Sequence, residues 1–466
     1  MLISRLEARS RCKDGWSVPA ADNSNMTSFT LSHDTRPRFL AFLAFLSLAL
    51  TINPLRSSAQ QNQPTDGRYY ESEARKAYQE KRYDSFLENM KQAADLRPNH
   101  PRLMYNLAVA YALNRQPMEA MIWLRKTAEM GLILPAASDH DFDSLRDLEE
   151  FKAIVKLFEQ NQAPVVSSSP AFTVHEKGLV PESVAYDPEA DVFYLSSVYK
   201  RKILSVSRRG EGRIFSSDSD GLWSVMGMKV DARRRLLWVC TTAHPQMSNY
   251  RIEDKGRSAL LEYDLRTGRL IERYEPADQN RPHWLGDLAI NSAGDVFATD
   301  SVSPAVYVLR HDQNKLETFM EGPPFVSPQG LDFGQDEKHL FMADYSKGIF
   351  VVDLATKHCS NLSSTSTLLG IDGLYFHKGQ LLGVQNGVNP QRIVCLTLSK
   401  DLARVERFET IEANNPLFDE PTLGVLVKDD FYFVANSQWG AIDETGHLAP
   451  EDKLKDPTVL RLKLER

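Results

Sequence analysis

The sequence predicts an α+β multidomain chain in which a short α-helical array precedes an all-β, six-bladed propeller. Three observations carry that fold class. Between Leu179 and the C-terminus one phrase recurs six times: a glycine or acidic residue, an alternating apolar strand, a turn and a second apolar strand. The copies read LVPESVAYDPEADVFYLSS, VMGMKVDARRRLLWVCTT, LGDLAINSAGDVFATDS, PQGLDFGQDEKHLFMADYS, IDGLYFHKGQLLGVQNG and EPTLGVLVKDDFYFVANS, and their alignment puts Glu182, Met226, Gly286, Gln329, Asp372 and Thr422 in one column. A period of about 40 to 50 residues built from short strands marks a propeller, because one small sheet cannot bury both faces and must stack on copies around an axis. The segments after each copy, such as ILSVSRRGEGRIF and ALLEYDLRTGRLIERY, alternate apolar and polar residues and supply third strands. Ahead of these repeats, residues 71–160 are nearly free of glycine and carry a helical period instead.

Taken in order, the first element is a leader, 1–59. Arg36 and Arg38 precede the apolar run FLAFLAFLSLAL at 39–50, Pro54 breaks it, and Ser57-Ser58-Ala59 follows. That is the layout of a secretory signal peptide with cleavage expected after Ala59, and the run is too short to be a stable membrane span. The protein is therefore expected to be exported, to the periplasm or the extracellular space, and Met26 would give a leader of ordinary length. A linker is expected at 60–70 and a helical domain at 71–161. In the latter Phe86 pairs with Ala120, Met90 with Leu124 and Ala94 with Ala128 at one constant offset. With Tyr83, Pro98, Asn106, Ala108 and Tyr111 around them, these positions resemble tetratricopeptide repeats, which implies paired helices crossing at small residues. The segment 142–160 is expected to form one capping helix with Asp141 or Asp143 at its N-terminus. So short an array is expected to pack on the propeller. APVVSSSPAF reads as the linker, placed at 162–170, and the propeller runs over 171–466. Its last unit lacks an outer strand, and AFTVHE at 171–176 is expected to supply it and close the ring.

Composition excludes some functions. The chain has 466 residues, is 42% hydrophobic and carries a formal net charge of -7, with no basic run beyond Arg233 to Arg235, so nucleic acid is not an expected partner. Four cysteines, Cys12, Cys240, Cys359 and Cys395, lack zinc-site spacing; Cys12 is expected to leave with the leader, and the other three read as buried small hydrophobes, with a Cys359 to Cys395 bridge as the alternative.

Chemistry is expected where the inner strands start and converge on the axis. Glu182, Gln329 and Asp372 stand in one column and Asp287 one residue past it, so oxygen donors from separate blades face one another. Such donors suit a hard divalent cation, Ca2+ first, with Mg2+, Mn2+ or Zn2+ as alternatives. At these residues the chain resembles the gluconolactonase/regucalcin (SMP-30-like) family of six-bladed propellers over about 179–464. The resemblance implies metal ligation by Glu182 in PES, Gln329 in QG and Asp372 in DG, with Asp287 of GD supporting substrate and site. Gln329 is one methylene longer than the family's asparagine, and Gly286 has no side chain to replace another. The activity implied is metal-assisted hydrolysis of a lactone or ester, with a lactone, ester or sugar-derived ligand as the small-molecule partner, Asp372 as ligand and general base and His283 as an alternative proton carrier. A histidine between Pro282 and Trp284 also reads as a packed loop residue, and Asp-Gly and Gln-Gly steps are ordinary turn chemistry. His244 lies in a long insertion, 243–256, read as a lid or as plain loop decoration. Trp223, Trp238, Trp284 and Trp439 line the channel or fill the core.

Two other function classes stay open on sequence. VMGMKVD with LLWV, LLEYDLRTGRLI and LGDLAI is similar to the yellow/royal-jelly propeller family, which implies a non-catalytic binder of a small ligand. A protein-interaction scaffold is the other, with a peptide or protein partner docked on the helical repeats.

Overall fold

The computed structural model describes residues 67–464; the leader and its expected cleavage point lie outside the described residues. Helices α1 (Gly67–Gln79), α2 (Tyr83–Leu96), α3 (Pro101–Leu113) and α4 (Pro117–Glu129) pack as two consecutive pairs. Proline opens α3 and α4, where its missing N–H costs nothing. Small residues at the crossings, including Ala74, Ala93, Ala108 and Ala120, are fully buried and let the backbones approach. The sequence-paired Phe86 and Ala120, Met90 and Leu124, and Ala94 and Ala128 are all buried at matching positions of α2 and α4.

The expected single capping helix is two pieces, a 3-10 turn at His140–Leu145 and α5 at Glu149–Gln160. Neither Asp141 nor Asp143 caps: Asp141 accepts the Tyr78 hydroxyl at 2.8 Å and Asp143 is paired with Arg146. Asp139 takes that role, with one oxygen on the Asp141 N–H at 3.1 Å and the other on the Tyr105 hydroxyl at 2.9 Å. Core tyrosines thus compete for the acids, and the turn tightens to satisfy them.

Six antiparallel four-stranded sheets follow in chain order. Their inner strands are Val184–Asp187, Ser224–Asp231, Leu285–Ile290, Pro328–Phe333, Ile371–His377 and Gly424–Val427 for blades 1 to 6. The ring is closed by Ser168–Thr173, which pairs with Thr458–Lys463 as the outer strand of blade 6. The closing strand lies three residues earlier than the sequence reading, so it takes in the end of the expected linker. That linker is tied down rather than free: Glu412 of blade 5 accepts the N–H groups of Ser167 and Ser168 at 2.7 and 2.9 Å, and Val165 bridges Ala413.

The helical array seats on blade 5. The Ile133 N–H donates to the Asn389 carbonyl at 2.7 Å, and Met104, Met130 and Leu132 pack with Val388. Arg392, 1% exposed, donates through Nη1 to the Met130 carbonyl and through Nε to Gln385 Oε1, both at 2.7 Å. Burial lowers its pKa to about 10. Cys240, Cys359 and Cys395 are free thiols, so the Cys359 to Cys395 bridge is not formed; Cys240 is buried and the other two are half-buried. Among the described residues no helix is long and apolar enough to cross a membrane.

Phe172 in the closing strand is buried against Phe193 of blade 1, ring centroids 5.0 Å apart. Phe172→Ala is expected to cost about 3 kcal/mol in chemical denaturation, the usual toll of a core Phe truncation; a loss under about 1 kcal/mol would mean that the seam does not carry the ring.

Candidate functional site

The column picked out by the repeats is a column of β-bulges. In blades 2, 3 and 4, Met226-Gly227, Gly286-Asp287 and Gln329-Gly330 each interrupt the pairing of inner with second strand, and in blade 5 Asp372 does so. A bulge inserts extra backbone and re-aims a side chain, which is how an inner strand turns a polar residue toward the axis without losing its ladder. Close approach makes glycine necessary here. A Cβ on Gly227 would lie 2.6 Å from Asp287 Oδ1, and one on Gly330 would lie 2.5 Å from the Asp372 carbonyl oxygen. Gly286, by contrast, leaves room: its Cβ would stand 3.9 Å from Gln329 Oε1.

Hydrogen bonds stitch neighbouring blades at this level. The Leu423 N–H donates to the Glu182 carbonyl at 3.0 Å, Ser183 Oγ to the Met226 carbonyl at 2.7 Å and Thr299 Oγ1 to the Gln329 carbonyl at 2.8 Å. The Cys240 thiol faces the Asp287 carbonyl at 3.8 Å, and Asn386 Nδ2 reaches the Pro421 carbonyl at 2.9 Å. The bulge carbonyls are thereby occupied, and the side chains remain for the axis.

Those side chains differ in how far they are committed. Glu182 Oε2 accepts the Trp439 indole N–H at 2.7 Å, and Asp372 Oδ2 accepts Asn386 Nδ2 at 2.7 Å, with Tyr345 behind Asn386 at 3.1 Å. Gln329 donates from Nε2 to Ser327 Oγ at 3.1 Å. Asp287 is different: it is 2% exposed, and neither carboxylate oxygen has a hydrogen-bond partner. Burial raises its pKa to about 6; Lys229 and the Leu288 N–H oppose the rise, while Asp372 and Asp332 add to it. A buried carboxylate without partners is costly, and native structures keep few of them outside functional sites.

One step further along the inner strands lies a polar layer absent from the sequence reading. Lys229 of blade 2 reaches across the axis to Tyr375 of the opposite blade 5, its Nζ 4.6 Å from the ring centroid. The Tyr375 hydroxyl accepts the Gly424 N–H at 2.6 Å, and Asp332 of blade 4 accepts the Phe376 N–H at 2.8 Å. Burial raises the Asp332 pKa and Lys229 opposes the rise. The signal was in the alignment: three residues past the first column stand Ala185, Lys229, Ala289, Asp332, Tyr375 and Val425, polar in blades 2, 4 and 5 where a packed strand wants apolar residues.

The mouth is closed over by aromatics. His244 stacks on Trp284, centroids 4.6 Å apart and planes 18° apart, and Trp439 lies 5.6 Å from His244. Trp223 and Trp238 belong to the blade cores instead. The insertion at 243–256 carries His244, and Gly446 of the blade 6 insertion touches the Pro245 carbonyl, so two insertions meet above the axis. Burial lowers the His244 pKa to about 4, which keeps the ring neutral, and its Nε2 has no partner. Two open cavities, of about 420 and 460 Å3, lie away from Asp287; the first, lined by Ile290, Asp332, Phe333 and Phe376, opens at the far ends of the inner strands.

His283 is placed as a structural group. It is 2% exposed, Nδ1 faces Asp300 Oδ2 at 2.7 Å and Nε2 faces the Asp278 carbonyl at 2.6 Å. Both partners accept, so both ring nitrogens must donate and the ring is an imidazolium. Burial lowers its pKa, but Asp300 and the Asp278 carbonyl outweigh that and the net shift is upward. Neither nitrogen is left to carry a proton to a substrate.

The donor chemistry of Glu182, Asp287, Gln329 and Asp372 suits a hard cation. Their spacing does not: among the described residues no three His, Cys, Asp or Glu side chains stand close enough together to hold a metal ion. The chemistry of the site is therefore derived from its side chains alone.

No family model matches the chain, and no curated protein matches it. Solved propellers are similar at low identity. A gluconolactonase from Xanthomonas campestris is 14% identical with a TM-score of 0.44, and a luciferin-regenerating enzyme is 14% identical with a TM-score of 0.42. The PQQ-bound aldose sugar dehydrogenase of Streptomyces coelicolor is 12% identical with a TM-score of 0.46. Each match covers 65% of this chain and 100% of the other. No site residue is transferred from them.

Because the His283 pKa is raised on folding, its contribution to stability is fully present below the unfolded value near 6.5 and is lost as pH rises through the folded value. His283→Gln is expected to cost about 3 kcal/mol at pH 5.5, the scale for breaking a buried ion pair, and clearly less at pH 9. Urea unfolding at the two pH values checks this; an equal loss at both would remove the imidazolium assignment.

Proposed function

We propose that the axial site hydrolyses a lactone or ester, with Asp287 as its general base. The observation that carries this is the pair of unpartnered oxygens on a buried Asp287. In the proposed reaction Asp287 takes a proton from water as the water oxygen attacks the substrate carbonyl carbon. The ring or ester C–O bond then breaks, and the departing alkoxide recovers the proton from Asp287. Glu182, pinned by Trp439, and Asp372, pinned by Asn386, orient the water and the substrate hydroxyls, and the neutral His244 offers Nε2 to a substrate oxygen at the mouth. This moves the base role from Asp372 on blade 5, whose Oδ2 is engaged, to Asp287 on blade 3. Export belongs to the same proposal and rests on the leader sequence. The tetratricopeptide reading of the helices, with a peptide or protein partner, does so too; Met118 and Ile122 form an exposed apolar edge on α4 that fits it.

One observation favours a second reading, in which Glu182, Asp287, Gln329 and Asp372 hold a divalent cation, Ca2+ before Mg2+, Mn2+ or Zn2+: the same unpartnered oxygens of Asp287 are what a hard cation would occupy.

A panel of aliphatic and sugar-derived lactones and short-chain esters tests the hydrolase reading. At least one is expected to turn over, with kcat/KM rising through about pH 6. Asp287→Asn should lower kcat by about 100-fold or more while leaving the melting temperature near that of wild type or above it. Turnover by Asp287→Asn at the wild-type rate, or no turnover of any panel member, would sink the reading.

A further inference from the structure

A cation already stands on the axis. Blades 2 and 5 are opposite one another in a ring of six, so their side chains touch only across its centre. Lys229 comes from the inner strand of blade 2 and Tyr375 from that of blade 5, and the ammonium lies 4.6 Å from the tyrosine ring centroid. The two other polar positions of this region, Asp287 on blade 3 and Asp332 on blade 4, belong to the inner strands that separate them. Gly227 presses the backbone of the lysine's own strand onto Asp287, two residues before Lys229. The Tyr375 hydroxyl is fixed by the Gly424 N–H and Asp332 by the Phe376 N–H, so tyrosine and acid are held facing inward. Lys229 has no carboxylate in hydrogen-bond contact among the described residues; its charge acts on Asp287 and Asp332 through space.

We propose that the ammonium of Lys229 is the resident cation of the axial site, in the place that the resemblance to metal-dependent propellers reserves for a divalent ion. Asp287 and Asp372 look toward the axis from their bulges, Glu182 from just ahead of the inner strand of blade 1, and a fourth carboxylate, Asp332, from the layer beyond. A positive charge is what makes such a cluster tolerable. A side-chain cation supplies it without three close His, Cys, Asp or Glu ligands, which are not assembled among the described residues. Lys229 thereby offsets part of the charge on Asp287 and Asp332 and sets the field in which Asp287 works, so it is a positioning residue for the proposed site. The inference requires the axial region to be the functional one; it does not require the substrate to be a lactone or ester.

Metal content and thermal melting of the full chain test it, with no activity needed, so failure of the hydrolase reading leaves the result intact. The probes are the chlorides of Ca2+, Mg2+, Mn2+ and Zn2+ at about 1 mM, where an ion binding a site tightly raises the melting temperature. Wild type is expected to retain no stoichiometric divalent ion after dialysis and to melt unchanged with each salt. Lys229→Met should melt several degrees lower and regain part of that loss with Ca2+, because removing the ammonium leaves carboxylates for the ion. Lys229→Arg should melt close to wild type, and Lys229→Met combined with Asp287→Asn should recover without metal. About one equivalent of bound ion in wild type, or Lys229→Met melting like wild type with and without salts, overturns the proposal. If Lys229→Met does not fold, the double variant decides: its recovery supports the proposal, and its failure overturns it.

Discussion

A ring of six sheets is held by its seams, and the seams of this propeller run through one level. There the inner strands bulge, and the freed backbone carbonyls of Glu182, Met226, Asp287 and Gln329 are taken up by Leu423, Ser183, Cys240 and Thr299 of preceding blades. Closure of the ring by Ser168–Thr173 on Thr458–Lys463 keeps that circuit complete, since blade 6 must be in place for the Leu423 N–H to reach blade 1. The bulges of blades 3, 4 and 5 also turn Asp287, Gln329 and Asp372 toward the centre, while Glu182 stands just ahead of the inner strand of blade 1. Packing and site are therefore two results of the same backbone irregularity.

Dehydration follows from the same geometry. Two insertions meet above the axis and the His244, Trp284 and Trp439 rings fill the mouth, so Asp287 loses water without gaining a donor. Burying a lone carboxylate costs several kcal/mol unless charge or protonation relieves it. Here Lys229 across the axis supplies the relieving charge, and the upward pKa of Asp287 records what is left uncompensated. The helical array adds stiffness to one side. Arg392 links the Met130 carbonyl to Gln385, the residue beside Asn386, and Asn386 holds Asp372. The array is thus fastened to the blade whose acid needs holding.

Much of this architecture was legible because it repeats. Glu182, Gln329 and Asp372 fell into one column whose successive members recur at 43- to 60-residue intervals, and a ring turns a column into a constellation. Asp287 sat one place off that column for a physical reason, since in blade 3 the bulge spans Gly286 and Asp287 and only the second has a side chain. What could not be read was every role set by partners distant in sequence. His283 read either as a packed loop residue or as a proton carrier, and only Asp300 and the Asp278 carbonyl, facing its two nitrogens, choose the first. Lys229 in a strand reads as solvent-facing, and nothing local says that its neighbour is Tyr375 on the far side of a ring. The helical cap failed likewise, because Tyr78 and Tyr105 lie on other helices and redistributed the acids.

At its axis the ring holds the carboxylate of Asp287, dehydrated and without a hydrogen-bond donor. The most direct measurement is the carboxyl titration of Asp287, followed by carbon-13 NMR on protein labelled at aspartate and assigned by its loss in Asp287→Asn. A single resonance titrating near pH 6, the value set by burial against Lys229, is expected. A resonance titrating near pH 4, as for a solvated or well-paired aspartate, would contradict it.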